Sequence, residues 1–369
     1  VALGELPDYP WDLMTPYRER AARHPGGTVD LSIGSPVDAT PDVVRDALRD
    51  ATDAHAYPTT TGTPELRAAI VEWFARRRGV TGLTGDHVLP TIGSKELVAM
   101  LPFMLGVGGG DVVVHPRAAY PTYAVGATFA GADAVASDDP AEWPAETALV
   151  WLNSPGNPDG RVLDVEALRA AHARARELGA VVVNDECYAE LGWDAPWDAQ
   201  RVPSILDPRV VGDDRTDTLA VYSLSKQSNM AGYRGAFVAG CRTRIARLLN
   251  VRKHGGLMPP APLQAAMVAA LGDDAHVAEQ RARYRARRDA LVPALISAGF
   301  RIDHSEAGLY LWATEGRDAW ESIDRLAGLG IVAGPGHFYG PHFPEHVRLS
   351  LTATDERVAE AAARLSAAS

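Results

Sequence analysis

Thr218-Leu219-Ala220-Val221-Tyr222-Ser223-Leu224-Ser225-Lys226 runs from an apolar segment into a lysine flanked by serines, with Arg234 eight residues further on. The first five residues read as a buried strand. A lysine delivered by the end of such a strand is out of its usual place on a helix face or polar loop. It is also scarce: the chain holds three lysines, Lys95, Lys226 and Lys253, against 33 arginines. A guanidinium stays charged, whereas an amine can lose its proton and attack a carbonyl, so amine chemistry is to be sought at the lysines. The plain alternative is a leftover lysine at a tolerant position, and its polar company decides between the two.

The whole chain sets the frame. Its 369 residues, 46% hydrophobic and 22% charged, have the composition of a soluble globular protein with room for more than one domain. A formal charge of -11 argues against non-specific binding to nucleic acid or an anionic membrane. Two cysteines, Cys187 and Cys241, make no disulfide framework and fit a reducing cytoplasm. Asp8, Asp12 and several prolines interrupt the first twenty residues, so no secretory signal is expected. The longest apolar run, near Val98 to Val107, is too short to span a bilayer. The expectation is a soluble, cytoplasmic protein.

From Thr91 the chain alternates between strands and helices. Strands are expected at Asp111 to His115, Ala132 to Ala136, Leu149 to Leu152, Ala180 to Asn184, before Ser223, and at Ala236 to Ala239. Helices are expected from Gly93, after Tyr120, and from Leu163 to Leu178. Near-continuous apolar strands in such alternation predict an α/β domain with a mostly parallel sheet covered on both faces. Upstream, Thr40 is expected to cap a helix that Pro41 starts, and Pro64 opens another. Ala275 to Ser297 reads as a long arginine-rich helix whose charges form a solvated face. Beyond Gly299 the pattern is α+β. Two domains are expected: a large α/β domain over 37–275, and a smaller α+β domain from 1–36 and 276–369.

Ligands of such sheets sit at the carboxyl ends of the strands, which gathers Asn153 to Gly160, Asp185 to Tyr188 and Ser223 to Lys226 on one rim. Gly93-Ser94-Lys95 at a helix N-terminus offers N–H groups to a phosphate, with the hydroxyls of Ser223 and Ser225 and the charge of Arg234 as further partners. Lys226 can condense with an aldehyde. Asp185 can keep a ring nitrogen protonated. Asn157 and Tyr188 can hydrogen-bond a ring hydroxyl, and Tyr120 can stack on an aromatic face. Phosphate, aldehyde, pyridine nitrogen and phenolic oxygen together describe pyridoxal 5′-phosphate.

Over nearly its full length the chain resembles the class I/II aminotransferases of fold type I. The matching motifs follow the family's order: Tyr57 to Gly62, Gly93-Ser94-Lys95, Tyr120-Pro121-x-Tyr123, Asn157-Pro158-Asp159-Gly160, Asp185-x-x-Tyr188, Ser223-x-Ser225-Lys226, Arg234 and Arg348. Asp159 stands where the family usually has threonine. The resemblance implies the aspartate aminotransferase-like fold, with a seven-stranded sheet in the large domain. It also implies a homodimer with shared sites, in which Tyr57 reaches the neighbour's phosphate. Gly34, Asn157 and Arg348 are implied at the substrate, Arg348 on its α-carboxylate.

Further stretches are similar to actinobacterial succinyldiaminopimelate aminotransferases, among them Tyr9-Pro10-Trp11-Asp12, Asp185-Glu186-Cys187-Tyr188 and Asn229-Met230-Ala231-Gly232-Tyr233-Arg234. That implies transfer between N-succinyl-diaminopimelate and 2-oxoglutarate. For the distal acid of such substrates the candidates are Arg252 and Lys253, whose alternative role is to cap the preceding helix.

Other signals point elsewhere and are weaker. Gly106 to Asp111 lacks the third glycine of a nucleotide loop and precedes a strand. His337, His342 and His346 are separated by Pro341 and Pro344, which suits a loop beside the site better than a metal centre. Cys187 has no evident base and reads as a packing residue. Three functions are weighed: an aminotransferase, another amino-acid reaction on the same scaffold such as a β-lyase or decarboxylase, and a non-catalytic sensor. The sensor lacks a DNA-binding helix pair or basic arm.

Overall fold

The computed structural model describes residues 6 and 10–368. Pro7, Asp8 and Tyr9 lie outside the described residues. A seven-stranded sheet organises the fold, with strands in the order Val88–Ile92, Gly235–Gly240, Thr218–Ser223, Val181–Asp185, Thr147–Asn153, Val112–His115 and Asp133–Ala136. Gly235–Gly240 is antiparallel to both its neighbours; the other pairings are parallel.

Val181–Asp185 and Thr218–Ser223 are buried at every residue. Alternate side chains serve opposite faces: Val182, Ala220 and Tyr222 join a core with Leu66, Trp73 and Leu168, while Val183, Leu219 and Val221 join one with Leu97, Leu101 and Tyr123. Helices on both faces explain why these strands read as unbroken apolar runs.

Two expectations need correction. The strand Val88–Ile92 was not foreseen, because Pro90 interrupts it; it lies at the sheet's edge, where a missing N–H is tolerated. Thr40 does not cap the helix Asp42–Asp50. Pro41 directly precedes that helix, and the Thr40 hydroxyl donates to the Asn229 carbonyl oxygen at 2.9 Å, which ties this segment to the turn after Lys226.

The C-terminal segment builds a four-stranded antiparallel sheet in the order Gly334–Pro335, His346–Ser350, Tyr310–Thr314, Arg301–Ile302. Val29–Asp30 of the N-terminal arm pairs with Ile331–Val332. Met14, Leu31, Trp312, Leu349 and Leu365 share a third core with Tyr188 and Trp193, so this core reaches the rim of the large sheet.

The helix Ala275–Ser297 has the expected bounds, but its arginines are more than a solvated face. Arg281 donates to the carbonyls of Gly192 and Asp198, Arg285 to that of Trp193, and Arg288 to the Asp194 carboxylate. Arg287, 2% exposed, spans Asp38 at 2.6 Å and Asp355 at 2.7 Å. One-dimensional pattern cannot show this, because the partners are up to 249 residues away. Burial alone would raise the Asp38 carboxyl, yet hydrogen bonds from Arg287 and Gln280 and the charges of Arg287 and Arg283 hold it below its ordinary value of 3.8. Its contribution is therefore full above that value and is lost as the pH falls through the lower folded one.

Removing one partner of such a pair leaves a buried charge. Arg287→Met is expected to lower the unfolding free energy by about 3 kcal/mol or more. Arg283→Met, with a side chain 41% exposed, is expected to cost less than about 1 kcal/mol. Urea unfolding reads both, and the Arg287→Met deficit should shrink as acid protonates Asp38.

Candidate active site

The strand Thr218–Ser223 delivers its last residue as the cap of a short helical turn, Leu224–Gln227. The Ser223 hydroxyl accepts the Ser225 N–H at 3.2 Å and donates to the Ser225 hydroxyl at 2.9 Å. The turn projects Lys226, whose Nζ donates to the Gly34 carbonyl oxygen. Burial is the largest influence on this amine and lowers its pKa; Arg348 and Arg234 act the same way, against Tyr310 and Cys187. A neutral amine is thus favoured where a nucleophile and base is needed.

One strand over, Asp185 ends Val181–Asp185. Its Oδ1 accepts the Cys187 N–H at 3.2 Å and its Oδ2 accepts the Tyr123 hydroxyl at 3.0 Å. Burial nonetheless raises its pKa, so a cation placed against it would be stabilised as an ion partner. Tyr123 is fully buried and stacked on Trp151 at 5.0 Å. Its bond to Asp185 had not been anticipated, although the spacing Tyr120-Pro121-x-Tyr123 held the signal. Asn153, paired in register with Asp185, donates to the Asp185 carbonyl at 2.9 Å and accepts the Asn157 N–H at 2.8 Å.

The helix Gly93–Leu105 has no side-chain cap at its start, which leaves first-turn N–H groups and the positive dipole end for an anion. Gly93 has φ +74°, and a Cβ there would lie 2.3 Å from the Arg234 guanidinium; glycine is what lets that charge close on the helix end. Ser94 is half-buried beside it and Lys95 is exposed. Arg234 is held by its own bond to the Ala231 carbonyl at 2.8 Å.

Opposite lies Arg348, buried on the strand His346–Ser350. Its Nη1 donates to the Asn157 side-chain oxygen at 2.8 Å and its Nη2 to the Ser32 carbonyl at 2.7 Å, while the buried Nε has no partner. The guanidinium lies over the Tyr310 ring at 3.9 Å and the Tyr339 ring at 4.8 Å. The Tyr188 and Tyr310 hydroxyls are 3.3 Å apart. Half-buried Tyr120 meets Tyr123 edge-on at 5.9 Å.

Two expected residues stand apart. Tyr57 is fully exposed on its loop. Lys253 is exposed in the last turn of the helix Arg242–Gly255. Its neighbour Arg252 is buried and paired with Glu96 at 2.9 Å. A cavity of about 460 Å³ lies behind Asn153 and Gly156, between Trp143, Trp151 and Trp312, and not over Lys226. His346 bonds Asp303 and stacks on Trp312, and no group of three metal-binding side chains occurs among the described residues.

An amine, a buried carboxylate and an anion-binding helix end on one rim fit the aldehyde, ring nitrogen and phosphate of pyridoxal 5′-phosphate. Fold and site define a pyridoxal-phosphate-dependent transaminase: the chain belongs to the family Aminotransferase class I and II, whose sequence model matches residues 27–365. It is 56% identical to the 4-dedimethylamino-4-oxo-anhydrotetracycline transaminase OxyQ of Streptomyces rimosus, over 98% of this chain and 100% of that one. To the probable aminotransferase Rv1178 of Mycobacterium tuberculosis it is 53% identical, over 98% and 86%. The structure of a probable N-succinyldiaminopimelate aminotransferase from Thermus thermophilus superposes with a TM-score of 0.86 at 27% identity, covering 97% and 99%.

Lys226→Ala is expected to remove the visible absorption of the cofactor-loaded enzyme and to lower kcat by at least about 10²–10⁴-fold. Tyr123→Phe removes one hydrogen bond from Asp185 and should lower kcat about fivefold. Absorption spectra and single-turnover rates measure both.

Proposed function

We propose that this aminotransferase moves an amino group between N-succinyl-diaminopimelate and 2-oxoglutarate. The observation that carries an α-amino acid substrate is Arg348: a buried guanidinium across from the reactive amine, with its Nε–H unpartnered and ready for a carboxylate. The succinylated donor is supported by the sequence phrases shared with that group of enzymes and by the Thermus neighbour's name. A second reading, amination of a ketone on a polycyclic substrate, is favoured by the 56% identity to the Streptomyces rimosus enzyme.

Bound pyridoxal 5′-phosphate supplies an aldehyde to take up the amino group and a protonated ring to withdraw electrons from the reacting carbon. The residues of this chain do the rest. The first turn from Gly93, Ser94 and Lys95, with Ser223, Ser225 and Arg234, would hold the phosphate. Asp185, braced by Tyr123, would pair with the protonated ring nitrogen. Asn157 and Tyr188 would hold the ring oxygen. Lys226 would be the base that takes the proton from the substrate Cα and the acid that gives it back. Arg348 and the backbone near Gly34 orient the substrate.

The reading divides the chain into a large domain, 37–275, and a smaller one of 1–36 and 276–369 that closes over the substrate. It also takes the enzyme as a cytoplasmic homodimer in which the exposed Tyr57 meets the partner's phosphate and Lys253 is available to a distal carboxylate. Two free cysteines accord with that compartment.

Arg348→Lys should raise KM for donor and acceptor alike, about 10–100-fold in kcat/KM, because an ammonium cannot form the planar fork. A donor panel decides specificity: succinyl-diaminopimelate should exceed alanine, and a preference for a polycyclic ketone as acceptor would sink the primary reading. Mixing inactive Lys226→Ala and Tyr57→Phe proteins should restore activity through hybrid dimers; no recovery, with mixed dimers formed, would refute shared sites.

A further inference from the structure

We infer that Tyr310 is a positioning residue of this reaction: its hydroxyl backs the Tyr188 phenol as that phenol donates to the cofactor's ring oxygen, and its ring face seats Arg348. The inference rests on the aminotransferase reading, though not on which amino acid is the donor.

The placement follows from strand register. Tyr310 pairs with Ser350 across the antiparallel strands Tyr310–Thr314 and His346–Ser350, and Trp312 pairs with Arg348. Arg348 is therefore the diagonal neighbour of Tyr310 on the same face, within reach of a large ring. The result is a guanidinium 3.9 Å from the ring centroid, at a site where both side chains are buried. Cation–π attraction is strongest when desolvated in this way. A phenylalanine would serve that purpose equally well, so the hydroxyl requires a separate account.

That hydroxyl is enclosed. It lies 3.3 Å from the Tyr188 hydroxyl, with the two rings edge to face at 5.7 Å. A Cβ on Gly34 would fall 2.1 Å from it, so Gly34, whose carbonyl accepts Lys226, leaves the room the phenol fills. A phenol has one proton to give. When Tyr188 gives its proton to the ring oxygen, its own oxygen becomes an acceptor facing Tyr310. The order of donation is then Tyr310 to Tyr188 to the ring oxygen, and each bond polarises the next. Hydrogen bonding to an anionic oxygen favours that anion, so losing the outer donor raises its proton affinity.

The charges around Tyr310 favour strong donation. Burial alone would raise its pKa, but the charge of Arg348, that of Lys226 whenever its amine is protonated, and the bond with Tyr188 lower it, and Cys187 opposes them. Tyr284 and Tyr339 are further titratable groups that act on it.

The test is a pH titration of the visible absorption of the enzyme loaded with pyridoxal 5′-phosphate, without substrate. In Tyr310→Phe the midpoint should rise by about 0.3–1 pH unit, the size of one modest hydrogen bond, with KM for the amino donor changed less than about twofold. Tyr310→Leu should show the same midpoint shift and also raise that KM several-fold, since the seat of Arg348 is gone. A Tyr310→Phe midpoint equal to or below that of the unmodified enzyme would overturn the inference while leaving the aminotransferase reading intact. An unmodified enzyme that took up no pyridoxal 5′-phosphate would instead overturn that reading, and this inference with it.

Discussion

Two ionisable groups buried at the ends of adjacent strands set the terms for the rest of this molecule. Asp185 and Lys226 each lose water, and burial pushes each toward its neutral form. Neighbouring strands lie about 4.8 Å apart, so the parallel pairing of Val181–Asp185 with Thr218–Ser223 brings Asp185 and the turn that carries Lys226 to the same rim. Fully buried strands are what make such groups hard to solvate. The polar residues around them, Tyr123, Asn153 and the Ser223–Ser225 pair, hold positions that water would otherwise blur.

The C-terminal sheet meets this rim through polar as well as apolar contacts. Tyr188 and Trp193 sit in its core, while Arg348 crosses to Asn157 and Arg287 to Asp38. Buried charged contacts of this kind repay their desolvation only in good geometry. They therefore discriminate between relative placements of the two sheets more sharply than oily contact alone. The same geometry places the Tyr310 face under Arg348, whose buried Nε has no partner.

Much of this could be read in the chain because chemistry-bearing residues follow apolar runs: Asp185 after four apolar or amide residues, Lys226 after a six-residue strand. Most strand positions and the helix from Ala275 were legible for the same reason, since local periodicity carries them; the order of the strands in the sheet was not. Partners distant in sequence were not. Arg252 finds Glu96 across 156 residues, and Arg287 finds Asp38 across 249. Pattern reading offered a distal-acid ligand or a helix cap for the first and a solvated face for the second. Pro90 hid an edge strand because proline is judged against the middle of a sheet. Tyr123 was visible only as a motif residue and Tyr310 carried no signal, and their hydroxyl partners appear only in three dimensions.

Ser32 and Gly34 sit two residues apart on the N-terminal arm. One carbonyl holds the Arg348 guanidinium and the other holds the Lys226 amine. The arm is also stitched to the C-terminal strands, through Val29–Asp30 and through Ser350, whose N–H donates to the Leu31 carbonyl. Three residues of main chain thus carry both hydrogen bonds, so wherever the C-terminal strands seat this arm, the guanidinium and the amine are seated with it, as two hooks on one rail.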